Sequence, residues 1–565
     1  MERASRSPRP SFRELFQPKL LTVLREGYGL AELKADALAG LTVAIVALPL
    51  SMAIAISSGV APQVGLFSAI VGGFVISAIG GSRFQIGGPA GAFIVLVAAC
   101  VADIGASGLM TACILAGLML IAAGFLRLGT YVKFIPYPVT VGFTAGIGII
   151  IFASQMKDAL GLTLAGAEPG PFLPKLVALW QARATLSPAA LGVTLLTVVL
   201  VLGLKRFRPH WPGLLIAVAS VTTLAALMHL PVETIASRFG RLPSTLPAPA
   251  LPPLDLAAIR AAFPYAVSFT LLGAIESLLS AVVADGMTGR HHRSNAELVA
   301  QGVANVLSPI FGGMVVTGTI ARTATNVRAG ARGPVAGMFH AAFVMAAMFF
   351  LAPAAGLIPL AALAGVLIVV AWNMVEKEEA WALIRLSSGD ALVLAATFFL
   401  VVFRDLTEGI LVGFLLGSVL FIQRMAHAAH VDERAPLAEG DRADEGGRYE
   451  GPDDADGDIL IYRIQGAFFF GAASTVGGVL ERISDRPRTF IIDFAEVPFL
   501  DSTAARMIAV LEHKLARTGG RLFLSGAGPA ERRTLISMGL REPAVRYFAS
   551  IADAVAEARQ GRVAA

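Results

Sequence analysis

Two charged side chains stand deep inside expected spanning segments: Glu276 within SFTLLGAIESLLSAVVADGMTG (Ser268 to Gly289), and Arg322 within GTIARTATNVRAGARGPVAGM (Gly318 to Met338). A charge held at the centre of a bilayer costs about 2.5–3.5 kcal/mol even on mild insertion scales, so such residues face the protein interior and are commonly functional. Two further segments, Gln85 to Phe93 (QIGGPAGAF) and Val316 to Thr323 (VTGTIART), combine glycine with helix-starting residues. Glycine frees the backbone, and Pro89 suits a first helical position. A helix that begins inside a membrane leaves its first N–H groups unpaired and presents about half a positive charge, which binds an anion. Two such starts, at Ala90–Gly91 and at Thr319–Ile320–Ala321, would form a positive pocket when they face each other, with Arg322 adding charge. The competing reading is close helix packing through small residues.

Glu276 poses a difficulty, because a bare carboxylate repels an anion. A salt bridge to Arg322, a bound cation such as Na⁺, or protonation of the carboxyl would each resolve it, and the last two couple anion entry to a cation. Ser280 lies one turn later and offers a hydroxyl to either cation. Other conspicuous residues carry less. His291–His292 sit between Arg290 and Arg293 and read as a basic loop, not a metal site. His340 reads as a satisfied core histidine. Cys100 and Cys113 lie in apolar stretches and imply neither a disulfide framework nor a metal site. Gly526-Ala527-Gly528 is too short to indicate nucleotide binding. No nucleophile–base set appears, so an enzyme is not expected.

The elements that must position these residues follow from composition. The chain has 565 residues, 56% hydrophobic and 15% charged, against about 25% charged in soluble proteins. The charges are segregated: few lie between 37 and 423, many at the ends. The net charge of +5 arises largely from Arg and Lys beside apolar segments, so it reads as a topology signal and not as a nucleic-acid footprint. Met1 to Lys34 is basic and has no apolar core, so the first spanning helix is expected to serve as the insertion signal. Spans of about 20 residues are expected near 37–56, 62–80, 107–127, 137–156, 188–205, 213–229, 264–284, 296–311, 333–352, 357–374, 388–403 and 407–423. Two interrupted segments, 86–102 and 317–329, bring the total to fourteen.

Loop charges support that count. With the N-terminus inside, Arg83, Arg127, Lys205, Arg290, Arg293, Arg328, Arg332 and Lys377 all fall on inside loops, while the short outside loops 103–106, 312–316 and 353–357 have no Lys or Arg; Lys157, Lys175, Arg238 and Arg241 fall on two longer outside loops, which weigh less in this rule. The halves also echo each other: 40 residues separate Pro49 from Pro89, and 42 separate Glu276 from Gly318. Seven helices per half is odd, so the second half must be inverted, and broken segments at matching positions point to a midplane site in a secondary transporter. Beyond the spans, 426–458 reads as an acidic linker, rich in Asp between Asp441 and Asp456. After it, strands at Ile459–Ile464, Thr489–Phe494 and Arg521–Ser525 alternate with helices at Ala504–Arg517 and Ile551–Ala558, the pattern of a small α/β domain.

These residues resemble the SulP family, the sulphate-permease-type anion transporters. The likeness lies in the Glu276 and Arg322 stretches quoted above, in LPLSMAIAISSGVAPQVGLFSA (Leu48 to Ala69) and in GGPAGAF; IIDFAEVPFLDSTAARMI (Ile491 to Ile508) resembles the STAS domain that the family carries. The resemblance covers about 37–560. It implies a polytopic α-helical membrane protein, fourteen transmembrane segments in a seven-plus-seven inverted repeat (UraA-like), with a core moving against a gate. The domains would be a cytoplasmic segment 1–36, a transport domain 37–425, the linker 426–458 and a STAS domain 459–565. The anion would sit near Ala90, Gly91, Thr319, Ile320, Ala321 and Arg322, with Glu276 and Ser280 at the coupling-cation position. Leu50 stands where many relatives have Gln, removing one polar contact to the anion, and the acidic residue is Glu, which favours H⁺ over Na⁺. Ser502 matches a serine phosphorylated in some stand-alone STAS proteins; it also suits the cap of a helix starting at Thr503, the preferred reading.

The expected function is therefore secondary transport of a small anion (sulphate, bicarbonate or C4-dicarboxylate), driven by H⁺ or Na⁺ and with no other cofactor. The expected protein is an inner-membrane homodimer with both termini cytoplasmic, and a cytoplasmic protein is a candidate partner of the STAS domain. Two rivals are a membrane-anchored signalling protein acting through STAS, and a nucleobase carrier of the same fold. A pure anchor has no use for Glu276 and Arg322, and a nucleobase carrier fits poorly with the STAS tail.

Overall fold

A computed structural model describes residues 12–130, 136–166, 168–208, 211, 213–404, 406–428, 430–433, 459–469, 489–517 and 519–563. The acidic run Asp441 to Asp456 lies outside the described residues. The chain divides into two compact units, Met1–Phe414 and Leu415–Ala565.

In the first unit every expected segment is helical in whole or part. The helices are α1 (Leu30–Ser57), α2 (Pro62–Ile79), α3 (a 3₁₀ turn Gly91–Phe93 running into Ile94–Phe125), α4 (Tyr137–Leu160), α5 (Pro188–Phe207) and α6 (Gly213–Leu227). The second half supplies α7 (Leu256–Thr288), α8 (Ser294–Ile310), α9 (Ile320–Arg328), α10 (Val335–Gly356), α11 (Leu360–Met374), α12 (Ser388–Phe403) and α13 (Leu406–Ala428). Among the described residues nine helices are long and apolar enough to cross a membrane, and α6 and α12 are shorter apolar ones. Local chemistry sets several ends. Pro62 and Pro188 stand at helix starts, Ser187 Oγ accepts from Ala190 N–H at 3.3 Å, and Asp255 Oδ1 accepts from Ala258 N–H at 2.8 Å. The expected separate segments 86–102 and 107–127 join as α3, bent at Gly105, whose φ of 72° only glycine adopts readily.

Packing repeats between the halves. Helix α10 packs on α1 and α2, while the C-terminal part of α3 packs on α7 and α8; α4 packs on α11 and α12, and α11 packs on α4 and α5. Exchanging the halves leaves this pattern unchanged, as a two-fold repeat requires. Small residues permit the close crossings. A Cβ on Gly117 would lie 2.6 Å from Gly302 O, and one on Gly40 would lie 2.5 Å from Ala336 O. At the centre, β1 (Gly87–Gly88) pairs antiparallel with β2 (Thr317–Gly318), Gly87 opposite Gly318 and Gly88 opposite Thr317. The two broken segments inferred from sequence therefore meet as each other's partners.

The second unit is a sheet of β3 (His430–Glu433), β4 (Ile459–Gln465), β5 (Thr489–Glu496), β6 (Arg521–Ser525) and β7 (Val545–Phe548), in that spatial order. Only β3 is antiparallel. Helix α14 (Ser502–Arg517) covers one face through Ala504, Ala505 and Ile508 against Phe490, Ile492 and Phe494, and α15 (Pro529–Ser537) adds Leu535. Helix α16 (Ile551–Val563) covers the other through Ala554, Val555 and Ala558 against Ile461, Ile491 and Phe523. A parallel sheet buried on both faces explains the near-continuous apolar runs of β5 and β6. Two differences from expectation follow. Residues 430–433, expected as linker, form an edge strand, and β7 with α15 had no counterpart. Both strands have only four residues, and β3 (HVDE) and β7 (VRYF) carry polar residues, so neither gives a clear alternating signal.

Candidate anion site

The β1–β2 ladder is the scaffold of the site. Its chains leave in opposite directions and each enters a helix, with Ala90 preceding the start at Gly91 and Thr319 preceding the start at Ile320. Neither start has a side-chain cap, so the first N–H groups stay open and two positive helix ends flank one ladder. Thr319 N–H donates to Ile86 O at 3.0 Å, and Thr323 Oγ1 accepts from Ile86 N–H at 3.1 Å. These bonds lace α9 to the strand that leads into α3.

Arg322 is 2% exposed. Its Nη2 donates to Ser51 Oγ at 3.1 Å and to Pro89 O at 3.2 Å, which ties α1, the α3 start and α9 together. Its Nε and Nη1 have no hydrogen-bond partner. Gly88 makes room for it: a Cβ there would lie 2.3 Å from Nη1. Unpaired guanidinium N–H groups in a buried place are costly, and an anion would satisfy them. Ala90 is buried, whereas Ile320 and Ala321 are exposed. Gly91 looks across to α4 and α11, where a Cβ would lie 3.4 Å from Ile151 Cδ1 and 3.8 Å from Met374 Sδ. The six expected anion residues thus gather around one ladder, with Arg322 behind it.

Helix α7 lies alongside. Thr317 Oγ1 donates to Gly273 O at 3.2 Å, and Ser280 Oγ donates to Thr323 Oγ1 at 3.0 Å. Between them, Glu276 holds Oε2 buried with no hydrogen-bond partner. No direct ion-pair contact joins Glu276 to Arg322 among the described residues, although the two charges lie within electrostatic reach of each other; Arg322 donates its hydrogen bonds to Ser51 and Pro89. A proton or a cation at Glu276 would satisfy the orphaned oxygen.

Sequence reasoning missed the residues that hold this frame. Glu297, at the foot of α8 and fully buried, accepts from Gly81 N–H (2.8 Å), Ser82 N–H (3.0 Å), Gln85 Nε2 (2.9 Å) and Gln301 Nε2 (3.0 Å). Gln85 Nε2 also donates to Ser277 Oγ at 2.8 Å. An acid inside an expected span was the available signal, and Glu297 met it as Glu276 did. Two expectations are corrected. His340 is buried with neither ring nitrogen hydrogen-bonded, since it fills the space left by the glycine face of α2 (a Cβ on Gly73 would lie 3.6 Å from Nδ1). Ser502 is not the cap of α14. The helix begins at Ser502 itself, and Asp501 Oδ1 accepts from Ala504 N–H at 2.8 Å; Ser502 is exposed.

Known proteins place the chain. Residues 33–397 match the sulfate permease family and residues 453–557 match the STAS domain. A Bacillus subtilis chain named for sulfate transport, YvdB, is 38% identical over 520 residues, spanning 91% of this chain and 95% of its own. The bicarbonate transporter BicA of Synechocystis is 30% identical over 518 residues, 89% of this chain and 90% of its own. Among solved structures, the transmembrane domain of a cyanobacterial BicA superposes with a TM-score of 0.62 at 32% identity, over 68% of this chain and 98% of that one. Murine Slc26a9, an anion transporter in an inward-facing state, gives a TM-score of 0.83 at 19% identity, over 99% of this chain and 96% of that one, a likeness of fold. With both domains in matching order, the chain belongs to the sulfate permease family of anion transporters and carries its STAS domain.

Proposed function

We propose that this protein is a secondary active transporter of a small oxyanion, sulfate or bicarbonate first and a C4-dicarboxylate third, driven by a cation that enters at Glu276. One observation carries the reading: Glu276 presents a buried oxygen without a partner on the helix that braces two uncapped helix starts and Arg322. The anion is held by the N–H groups at Gly91 and at Ile320–Ala321, and the cation offsets the carboxylate that would repel it. A proton needs only one oxygen, and the unpartnered Oε2 of Glu276 offers one, which favours H⁺ over Na⁺. Movement of the core against α4 and α11 alternates access. The relatives named for sulfate and for bicarbonate support the order of substrates. The working form is a homodimer in the inner membrane with both termini cytoplasmic, fourteen crossings, and a STAS domain open to a cytoplasmic partner.

The test is uptake of labelled sulfate, bicarbonate and fumarate into proteoliposomes under imposed H⁺ or Na⁺ gradients, for wild type and Glu276→Gln. One anion should accumulate with a cation gradient only in the wild type. Unchanged gradient dependence in Glu276→Gln, or no anion movement under any gradient, would overturn the proposal.

A further inference from the structure

Away from the ladder, a cavity of about 410 Å³ opens between three loops. Arg83 and Phe84 come from the segment after α2, Arg290 from the segment after α7, and Val327, Gly330 and Arg332 from the end of α9 and beyond. Three arginines from three separate loops thus line one space. Arg83 is paired with Glu26. The side chains of Arg290 and Arg332 are exposed and make no hydrogen bond or ion pair among the described residues. Glu26 lies within electrostatic reach of Arg290 and Glu32 within that of Arg332, and further cations stand close by. Arg293 is held nearby by Gln17 O and Thr22 Oγ1, and Lys19, which lies outside the spanning helices, has its ammonium pushed down to about 8 by burial and by Arg293 and Arg83, with Asp285 and Glu26 opposing. Asp285 is itself bound to His292 at 2.7 Å.

Compensation of the carbonyl end of α9 accounts for one cation, and Arg328 in its last turn already supplies it. It does not account for Arg290, which arrives from another loop. Guanidinium forks match the tetrahedral oxygens of a phosphate, and basic pockets between the cytoplasmic ends of membrane helices are sites for acidic headgroups. We infer that this cavity is a binding site for a phosphate oxyanion, held by Arg290 and Arg332 with Arg83 behind them. Two sources share that chemistry: an anionic phospholipid headgroup and a soluble phosphate ester. The site is independent of the transported anion, and two of its walls continue into the ladder: Arg83–Phe84 lead to β1, and Val327 lies in the last turn of the helix that starts after β2.

The test uses the full chain, delipidated in a neutral detergent, with retention read by native mass spectrometry. One arm adds phosphatidylglycerol or cardiolipin against phosphatidylcholine; the other adds glycerol phosphate. Anionic lipid should be retained over phosphatidylcholine, and Arg290→Gln/Arg332→Gln should weaken it about tenfold or more. Arg290→Lys/Arg332→Lys should fall between, because charge remains but the fork is lost. Arg206→Gln, on an exposed site elsewhere, should bind as the wild type does. Arginine-dependent binding of glycerol phosphate without lipid retention would support the pocket and assign its ligand to the soluble source. Binding unchanged in both double variants, equal loss in Arg206→Gln, or no binding of either phosphate would refute the inference. Both target arginines are exposed, so the variants should unfold at the wild-type temperature, which separates lost binding from lost fold.

Discussion

Replacing Glu297 tests whether one buried carboxylate holds the half-helix of α3 in place. Its two oxygens accept from four donors, two of them the backbone N–H groups of Gly81 and Ser82, which make no other hydrogen bond among the described residues. Glu297→Ala strands that pair. At about 1–3 kcal/mol for each buried donor left unsatisfied, the loss is about 2–6 kcal/mol, before the cavity is counted. Glu297→Gln is different. Its remaining carbonyl oxygen can keep the backbone pair, while its NH₂ group would face Gln85 and Gln301. Both of those residues carry an Oε1 without a partner, so rotating either amide by half a turn restores a bond. Exchanging charged for neutral hydrogen bonds then costs about 1–2 kcal/mol. The assay is the thermal unfolding midpoint of the detergent-purified chain, together with anion uptake. Glu297→Ala should unfold several degrees lower and lose most uptake, because Gln85 no longer fixes the approach to β1. Glu297→Gln should show less than half of that shift. Equal damage from both would refute the hydrogen-bond accounting, and a neutral Glu297→Ala would show that the carboxylate does not pin the loop.

Two further outcomes follow from local geometry. Gly88→Ala places a Cβ 2.3 Å from Arg322 Nη1, so the guanidinium must leave Ser51 or Pro89; loss of one charge-assisted bond should weaken apparent anion affinity about tenfold or more, read as a raised KM for uptake. In the STAS unit, Asp501→Ala removes the cap of α14 and should cost about 1 kcal/mol, whereas Ser502→Ala should stay within about 0.5 kcal/mol, both measured by denaturant or thermal unfolding of the full chain.

Much of this protein was legible in the order of its residues. Apolar runs of spanning length marked the helices, since each must satisfy its backbone internally in lipid. The glycine-interrupted segments at Gly87–Gly91 and Thr317–Ile320 stood out because breaks in such runs are rare. Glu276 and Arg322 stood out because charge there is expensive. Those signals are local, and each can be read from a few neighbours along the chain. The pairing of Gly87 with Gly318, 231 positions apart in sequence by subtraction, is not local, although the repeat hinted at it. Nor are the anchoring of Arg322 by Ser51 and Pro89, the four-donor shell of Glu297, or the meeting of Arg83, Arg290 and Arg332 around one cavity. A salt bridge between Glu276 and Arg322 was one of three arrangements open in the sequence, and the fold gives the hydrogen bonds of Arg322 to Ser51 and Pro89. Ser502 suited a cap by type, yet the cap is Asp501, because the backbone begins to turn one residue earlier than expected. The sequence therefore determined which segments are long and apolar enough to lie in the membrane and which charged residues stand within them. Only the tertiary structure decided which of them face one another, because a hydrogen bond depends on distances that chain order does not encode.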